Sequence, residues 1–425
     1  MAADISDPRT DFVPMGTDTV DGGPRDRSAR RTMYHLFLLG FFAIFSTTIS
    51  KSPVLPLFSQ ALGADDAVIG LIGFFSPFAG ILFSFPMGVL SDHFGRRRLL
   101  VASGVVFAVA PVLYVLIGSP VWLIPVRFLH GTATAILGPV VSAAIAERFP
   151  TQRGEMLGQY SSATLVSRTM APLAGGSLIS FFIAYPGLVQ YRVVYAVAAV
   201  AGVLVLILTL LYREAGAAPL NVLPFSVFRE SFVTFFSNRR LRGTAFADMG
   251  IYFAFGAFET FLPLLLASRG VLAVETGIIF AVQVLLVAAT KPIFGRLADR
   301  ADKRIQIVVG LLVTGGSIAL FPFASSFPTF LGVSAVFGLG QALSTVATSA
   351  YVADIAQKEH IGASMGALSS IMDIGHSTGP LATGVVIVAA GYAWGFLVST
   401  ILALVVTLAF VASVIESRHR HERTT

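Results

Sequence analysis

The sequence predicts an all-α membrane protein in which twelve transmembrane helices form two pseudo-symmetric bundles of six. Three observations lead to this fold class. The 425 residues are 55% hydrophobic and 12% charged, with a mean hydropathy of +0.80, a composition typical of proteins that cross a bilayer many times. Long segments carry no charged residue, and several short motifs recur 207 residues further along the chain.

The uncharged segments indicate the number of spans. Residues 67–91, 99–126 and 305–353 contain no Asp, Glu, Lys or Arg, and each exceeds the roughly 20 residues that a helix needs to cross a bilayer. Segment 305–353 is long enough for two spans that turn near residues 324–328. The twelve predicted spans are centred on residues 34–60, 67–91, 99–118, 121–147, 156–184, 192–212, 243–267, 273–295, 305–324, 328–353, 363–389 and 392–415.

The basic residues orient these spans. With both termini inside, the cytoplasmic segments carry 23 Lys and Arg, the outer loops carry 2 and the spans carry 4, which together make the 29 in the chain. This asymmetry predicts cytoplasmic termini, and it accounts for the pI of 9.7 without a nucleic-acid partner. We expect a multi-pass protein of a prokaryotic cell (inner) membrane.

The polar segments divide the chain. We expect a disordered cytoplasmic tail over 1–33, bundles over 34–213 and 243–416, a linker over 214–242 and a short tail over 417–425. Five phenylalanines fall at helical spacing in the linker: Phe225, Phe228, Phe232, Phe235 and Phe236. They predict an amphipathic helix that either lies on the inner leaflet or, equally, packs on the cytoplasmic ends of the bundle.

The two halves are repeats of one another. Pro56 recurs as Pro263, Gly63 as Gly270 and Gly70 as Gly277, each 207 residues later. A parallel duplication of six spans predicts two bundles around a cavity at the membrane midplane, which is typical of transporters.

The turn between spans 2 and 3 reads G-x-L-x-D-x-x-G-R-R-R. Its defining positions are Gly88, Leu90, Asp92, Gly95, Arg96 and Arg97. This turn resembles the signature loop of the major facilitator superfamily, and the likeness covers about residues 33–416. A degenerate second copy contains Gly295, Asp299, Lys303 and Arg304, with Asp302 in place of the second glycine. The resemblance implies that these loops lock the halves together on the cytoplasmic side in the outward-facing state; the alternative is a basic anchor without a gating role.

Span 4 contains Arg127, His130 and Gly131, similar to the R-x-x-x-G element of the same superfamily. A buried arginine in a membrane normally faces a partner or an aqueous cavity. The resemblance implies a role in proton transfer, whereas the structural alternative is a pair with a neighbouring carboxylate.

Span 5 resembles the antiporter motif of exporters in the same superfamily. Its positions are Gly158, Ser167, Ala171, Pro172, Gly175 and Gly176, and span 11 repeats them 208 residues later as Gly366, Gly375, Gly379, Pro380, Thr383 and Gly384. Small residues permit close helix crossing and proline weakens the helical ladder, so both helices can bend where the halves meet. The resemblance implies export; the alternative is ordinary small-residue packing.

Ionisable residues inside the spans carry the remaining signal. The first half contains Lys51, Arg127 and Arg168; the second contains Asp248, Glu259, Asp373 and, near the inner end of its span, Lys291. We expect Lys51 or Arg168 to pair with Glu259 or Asp373 across the cavity. Protonation of the carboxylate, or substrate binding, would then separate the pair. His376 follows Asp373 by one helical turn and is a candidate to share its proton.

The chain lacks the motifs of an enzyme. It has no phosphate-binding glycine loop, no H-E-x-x-H and no cysteine, so we expect no catalytic residue, cofactor or metal site. We expect a secondary transporter, active as a monomer in the lipid bilayer, that exports a small organic compound in exchange for protons. The alternatives are an uptake symporter or uniporter for an anion, organic acid or metal complex, and a transporter-like receptor or scaffold. Because span 1 offers Lys51 and no carboxylate, an anionic or zwitterionic substrate fits better than a lipophilic cation.

Overall fold

The computed structural model describes residues 24–212, 233, 235–356 and 361–422, with the side chains of 24–30, 85, 88–93, 361–363 and 415–422 left undescribed. The described chain is helical almost throughout. Helices of the first half are α1 (Pro24–Ile49), α2 (Val54–Ala61), α3 (Asp66–Phe94), α4 (Arg96–Leu116), α5 (Leu123–Arg148), α6 (Arg153–Phe181) and α7 (Val189–Leu211). Helices of the second half are α8 (Arg239–Ser268), α9 (Ala273–Arg300), α10 (Lys303–Ile318), α11 (Phe327–Ile355), α12 (Ile361–Ala390) and α13 (Tyr392–Glu422).

These helices confirm the predicted fold class. Eleven of them, with α1 and α2 taken together, are long and apolar enough to cross a membrane. The remaining long helix, α6, has 29 residues and corresponds to predicted span 5, but Arg168 and its many Ser, Thr and Gly residues make it less apolar. The twelve predicted spans therefore match twelve helical segments.

The first span is broken, whereas its counterpart in the second half is continuous. Residues 50–53 form turns between α1 and α2, and Pro53 directly precedes α2. Proline removes a backbone donor and disfavours a helical conformation of the residue before it, so a break here is expected. The break places Lys51 and Ser52 at irregular backbone deep in the bundle, the kind of position that transporters use for binding sites.

Two turns show the duplication in backbone geometry. Gly63 follows α2 with φ of 90° and Gly270 follows α8 with φ of 75°, and the two are separated by 207 residues. Such positive values are readily adopted only by glycine. The two turns lie at the same end of the bundle. We name the end with the turns at 95, 149–152 and 301–302 the basic face, and the end with Gly63 and Gly270 the opposite face.

Three predicted boundaries differ from the structure. The tail expected to be disordered to residue 33 ends earlier, because α1 begins at Pro24, a residue suited to the first turn of a helix; residues 1–23 lie outside the described residues. At the other end α13 continues to Glu422, past the expected boundary at 416. In the linker, α8 already begins at Arg239, where Asn238 accepts from the backbone N–H of Arg240 and Leu241 as an N-cap.

The described part of the linker packs on the bundle. Phe235 is buried against Leu241, Val352 and Leu368, close to the basic face. This contact supports the packed alternative for that stretch. The prediction for Phe225, Phe228 and Phe232 lies outside the described residues.

The apolar core is shared between the halves on one side only. The largest cluster joins first-half residues such as Phe58 and Tyr195 to second-half residues such as Phe258 and Phe337, toward the opposite face. Toward the basic face, the described clusters each contain residues of one half alone. The two halves therefore pack together near the opposite face and have separate cores near the basic face.

Candidate substrate and proton pathway

Charged and polar side chains of the two halves meet beside the break in the first span. Lys51 Nζ forms an ion pair with Glu259 Oε2 of α8, and Ser52 Oγ donates to Glu259 Oε1 at 3.1 Å. Ser52 and Glu259 are separated by 207 residues, so they occupy equivalent positions of the repeat. The contact therefore lies where the two halves are related by their pseudo-symmetry.

His376 of α12 completes this group. Its Nε2 atom lies 3.1 Å from Glu259 Oε2 and 3.4 Å from Lys51 Nζ. We name Lys51, Glu259 and His376 the charge cluster. Their side chains are 24%, 11% and 17% exposed, so solvent reaches the cluster only in part. A desolvated pair of this kind depends on both partners, because removal of one leaves an uncompensated charge.

The position of His376 is fixed by its surroundings. The ring centroid of Phe255 lies 5.4 Å from that of His376, and the ring of Tyr252 lies 6.4 Å away. Gly256 of α8 also faces the backbone carbonyl of His376, with a Cβ position only 2.6 Å from that oxygen. The missing side chain allows α8 and α12 to approach closely enough for His376 to reach Glu259.

A small cavity lies beside the charge cluster, and Arg127 is one of the residues that line it. The cavity is lined by Lys51, Leu55, Pro56, Ser59, Ile69, Gly73, Arg127, Glu259, Thr260, His376 and Pro380. Arg127 is 1% exposed, and its Nε and Nη1 atoms have no hydrogen-bond partner among the described residues. No described carboxylate forms an ion pair with it. The alternative of a helix-orienting carboxylate partner is therefore not seen in the described part of the chain.

The other predicted pathway residues stand apart from the cluster. Arg168 is exposed and Asp373 is half-buried, and neither forms an ion pair with a described residue. Asp373 lies across from α3. Its Oδ2 atom is 3.1 Å from the point where a Cβ atom on Gly80 would lie. Asp248 is buried and accepts a hydrogen bond from Thr348 Oγ1 at 2.8 Å. Of the expected pairings, the structure brings together Lys51 and Glu259.

Small residues let the halves approach on the opposite face. A Cβ on Gly70 of α3 would collide with the carbonyl of Pro380 in α12, and one on Gly277 of α9 would collide with the carbonyl of Pro172 in α6. The two contacts are related by the repeat. Gly176 packs in the same way against the carbonyl of Ala273. Side chains at these positions would push the halves apart.

Two polar contacts join the halves at the opposite face as well. The backbone N–H of Val274 donates to Ser180 Oγ at 3.0 Å, which connects α9 to α6. The Tyr392 hydroxyl donates to Asp66 Oδ1 at 3.2 Å, which connects α13 to α3. Both bonds lie at helix ends on this face.

Some glycines of the predicted bending motifs pack against another helix, whereas others have open space beside them. Gly375 and Gly379 face the carbonyls of Met249 and Phe253 within the second half, and Gly175 contacts Ile49 and Val54 of the first span. In contrast, a Cβ on Gly158, near the basic face, would meet nothing within 4 Å. The motif thus contributes close packing away from the basic face, together with the cross-half contacts of Pro172, Gly176 and Pro380.

The predicted gating loops bond within their own halves. Gly95 links α3 to α4 with φ of 84°, Arg97 donates to the carbonyl of Leu210 at 3.1 Å, and Arg304 donates to Asp302. Asp302, which replaces the second glycine, also caps α10 by accepting from the Arg304 backbone N–H at 2.9 Å. Gly295 has nothing within 4 Å of its Cβ position, and Asp299 is exposed. Gly88 and Asp92 lie in α3, and their side-chain environment is outside the described part.

A second ion pair and its repeat went unnoticed in the sequence. Arg96 pairs with Glu147 at the end of α5, and Lys303 Nζ pairs with Asp354 Oδ2 at 2.8 Å at the end of α11. Both members of the second pair follow the first by 207 residues. The same offset that identified the duplicated loop would have identified Glu147 and Asp354.

The described part of the chain contains twelve long helices in two related halves, with charged side chains meeting between them, and this arrangement is that of a multi-pass membrane transporter. The chain belongs to the Major Facilitator Superfamily, whose sequence profile matches residues 36–282 and again residues 244–425. It is accordingly a transporter and not an enzyme, as expected.

Curated relatives agree with this assignment. An uncharacterised MFS-type transporter of Methanocaldococcus jannaschii is 23% identical over 86% of this chain and 95% of its own. The Staphylopine export protein of Staphylococcus aureus is 22% identical over 86% and 91%. A homologue of the multi-drug resistance efflux pump PmrA from Lactococcus lactis is 24% identical over 83% and 87%.

Solved structures share the fold. A bacterial homologue of the human lysosomal transporter Spinster, in an inward-facing and unoccupied conformation, superposes with a TM-score of 0.74 at 19% identity, covering 92% of this chain and 98% of that one. The nucleoside transporter NupG gives 0.77 at 14% identity, covering 90% and 99%.

Proposed function

We propose that this transporter exports a small organic compound in exchange for protons, by alternating access. The observation that carries the proposal is the charge cluster. It joins the broken first span to α8 and α12, so its protonation state acts directly on contacts between the two halves.

The proposed cycle starts from a state in which the cavity is open toward the basic face. Shared packing near the opposite face and separate cores near the basic face support a cavity open toward the basic face. With cytoplasmic termini, that face is the inside of the cell, where substrate enters. The Lys51–Glu259 pair contributes to the closed opposite face. Separation of that pair frees the halves to rock.

Protons enter the cycle at Glu259. A proton on this carboxylate cancels its attraction for Lys51, and His376 is close enough to pass or share that proton. The charged groups around the site are Lys51, His376 and Arg127. Because all three can carry positive charge, a proton gained or lost at Glu259 changes the net charge of the site in which the substrate binds, and in this way links substrate binding to the proton.

The names of the relatives support export. Two of them are named for export or efflux, the Staphylopine export protein and the multi-drug resistance efflux pump homologue. The motif that contains Gly176 and Pro172 resembles an antiporter element, and this resemblance favours the same direction.

Uptake of an anion, organic acid or metal complex is the second candidate. Arg127 favours the anionic substrate of this candidate, because a guanidinium beside the cavity that has no carboxylate partner among the described residues suits negative charge. In both cases we propose a monomer in a prokaryotic cell membrane with cytoplasmic termini.

Reconstituted vesicles test the proposal. Purified protein is placed in liposomes that hold the pH dye pyranine, and ethidium, benzoate and indole-3-acetate are added under an imposed pH gradient. Exchange predicts proton movement opposite to the moving compound, and Asp373→Asn and Glu259→Gln alter its dependence on the gradient. Co-directional movement would indicate symport. Normal transport with unchanged pH dependence in both variants would refute the role of these carboxylates.

A further inference from the structure

Arg127 is buried, and no carboxylate among the described residues forms an ion pair with it. Its Nε and Nη1 atoms are enclosed and lack hydrogen bonds to any described residue, and the side chain is 1% exposed. A buried charge without a partner is costly. Arg127 lines the small cavity beside the charge cluster.

The cavity has no carboxylate to spare for Arg127. Glu259 is its only acidic lining residue among the described ones, and that carboxylate already holds Lys51, Ser52 and His376. The lining residues therefore carry more positive than negative charge. The excess positive charge is that of Arg127, because Glu259 compensates Lys51.

Two tyrosines and a histidine are buried near Arg127. The hydroxyl of Tyr195 is buried without a hydrogen-bond partner among the described residues, and its ring stacks on that of Tyr114 with centroids 4.7 Å apart. Both ring nitrogens of His130 are also buried and unpartnered, and its ring lies 6.0 Å from that of Tyr114. Arg127 is close enough to Tyr114 and His130 to interact with both through its charge.

We propose that Arg127 is the binding residue for a carboxylate group of the transported compound. The planar guanidinium matches a carboxylate in shape and charge, and Leu55, Ile69 and Pro380 offer apolar surface to the rest of the molecule. Glu259 repels a second negative charge, so a monocarboxylate or a zwitterion fits better than a phosphate dianion. This inference rests on the proposed function and names the substrate class for it.

Binding of matched acids and amides tests the proposal. The full-length protein is purified in detergent, and binding of radiolabelled indole-3-acetate is measured by scintillation proximity, with competition by indole-3-acetamide, benzoate and benzamide. The acids are expected to compete and the amides to compete at least about 10-fold more weakly, because only the acids form a charge-assisted hydrogen bond.

Variants assign the effect to Arg127. Arg127→Gln is expected to weaken acid binding by roughly 10- to 100-fold. Arg127→Lys keeps the charge but not the planar group, and an intermediate loss is expected. Arg269→Gln is the matched control, because Arg269 is exposed at the opposite face and bonds to the carbonyl of Pro322; it is expected to bind like the unmodified protein.

Three results would overturn the inference: equal competition by acids and amides, acid binding that survives in Arg127→Gln, and displacement of the acid by equimolar chloride, which would indicate an adventitious ion only. If Arg127→Gln does not fold, the acid and amide comparison in the unmodified protein decides. The vesicle experiment separates the two proposals. Gradient-driven transport without acid preference removes the substrate class alone, whereas acid binding without transport removes the proposed function.

Discussion

Glu259 receives contacts from both halves of the molecule. Its two oxygens are held by Lys51 and Ser52 from the first half and by His376 from the second. Each contact is short, and the group is largely desolvated, so loss of one partner leaves charge that water cannot reach freely. The cluster is therefore sensitive to a change of charge.

Swapping the charges of Lys51 and Glu259 tests the ion pair between them directly. Lys51→Glu and Glu259→Lys each place like charges together, and each is expected to reduce transport in vesicles by more than about 10-fold, since a buried unpaired charge costs several kcal/mol. The double variant restores opposite charges and is expected to regain a measurable part of the transport.

Glu155→Gln serves as the control for this experiment. Glu155 is exposed near the basic face and accepts a hydrogen bond from Gln159 in its own helix, so its variant is expected to transport normally. A double variant no better than either single one would contradict a direct pair between Lys51 and Glu259.

Some of the residues of the candidate site can be predicted from the sequence, and others cannot. Charged residues in apolar spans are rare, so Lys51 and Glu259 were recognisable as candidates and their pairing was one of the combinations expected. Ser52 and the position of His376 could not be predicted, because they depend on the helix break and on how closely α8 approaches α12 at Gly256. The absence of a described partner for Arg127 is a property of packing, which one sequence does not reveal.

The next scale is that of helices, where ion pairs and glycines hold elements together. Arg96 and Lys303 begin equivalent helices and pair with residues at the ends of equivalent helices, Glu147 and Asp354. Each pair therefore joins two neighbouring helices at the basic face of its own half. Each pair thus stabilises the packing of helices within one half.

The two pairs are expected to differ in strength. The side chain of Arg96 is 3% exposed and that of Asp354 is 54% exposed. Glu147→Gln leaves a buried arginine with a weaker partner and is expected to lower the free energy of unfolding by about 1–3 kcal/mol, whereas Asp354→Asn costs less than about 1 kcal/mol. Thermal unfolding in detergent measures the difference, and equal shifts in the melting temperature would contradict this account.

Glycine contacts on the opposite face make a second prediction at this scale. Gly277→Val adds a branched side chain where α9 meets the carbonyl of Pro172, so the opposite face is expected to close incompletely. Because the chain has no cysteine, one introduced thiol reports on access. Ser59→Cys suits this purpose, as Ser59 is buried and lines the cavity.

The measurement is labelling of Ser59→Cys by a membrane-impermeant maleimide added at the opposite face. Gly277→Val is expected to increase the labelling rate several-fold. Gly316→Val is the matched control, because Gly316 has nothing within 4 Å of its Cβ position, and its labelling rate should stay at the background value. Equal labelling in all three proteins would show that the close contact at Gly277 does not determine closure.

Element bounds were largely predictable, and their exceptions have physical causes. Uncharged stretches longer than a bilayer give the spans directly. The start of α1 at Pro24 was missed because polar residues extend that helix beyond the apolar stretch on which the prediction relied. The apolar residues on both sides of Pro53 predict one continuous span, but proline interrupts a helix and the structure is broken at residues 50–53.

For the whole molecule, duplication was the strongest signal. An offset of 207 residues relates turns, glycine contacts and ion pairs in the two halves, and the fold follows from it. The face on which the halves are closed could not be predicted, because both faces carry suitable motifs. Packing decides it here, since the apolar cluster near the opposite face is the one that includes both halves.

Exchange without a gradient offers the most direct test of the central claim that Glu259 couples protons to movement of the halves. Vesicles are prepared with the unmodified protein, with Glu259→Gln and with the double variant Lys51→Gln and Glu259→Gln. A compound that the unmodified protein transports is then measured in two ways, as equilibrium exchange at equal pH and as transport under an imposed pH gradient.

Both variants are expected to keep exchange, at a reduced rate, and to lose the response to the gradient, because the site that carries the proton is gone while the halves can still rock. The double variant should exchange faster than Glu259→Gln, since it leaves no unpaired lysine. Gradient-driven transport that persists in Glu259→Gln at the level of the unmodified protein would contradict the claim.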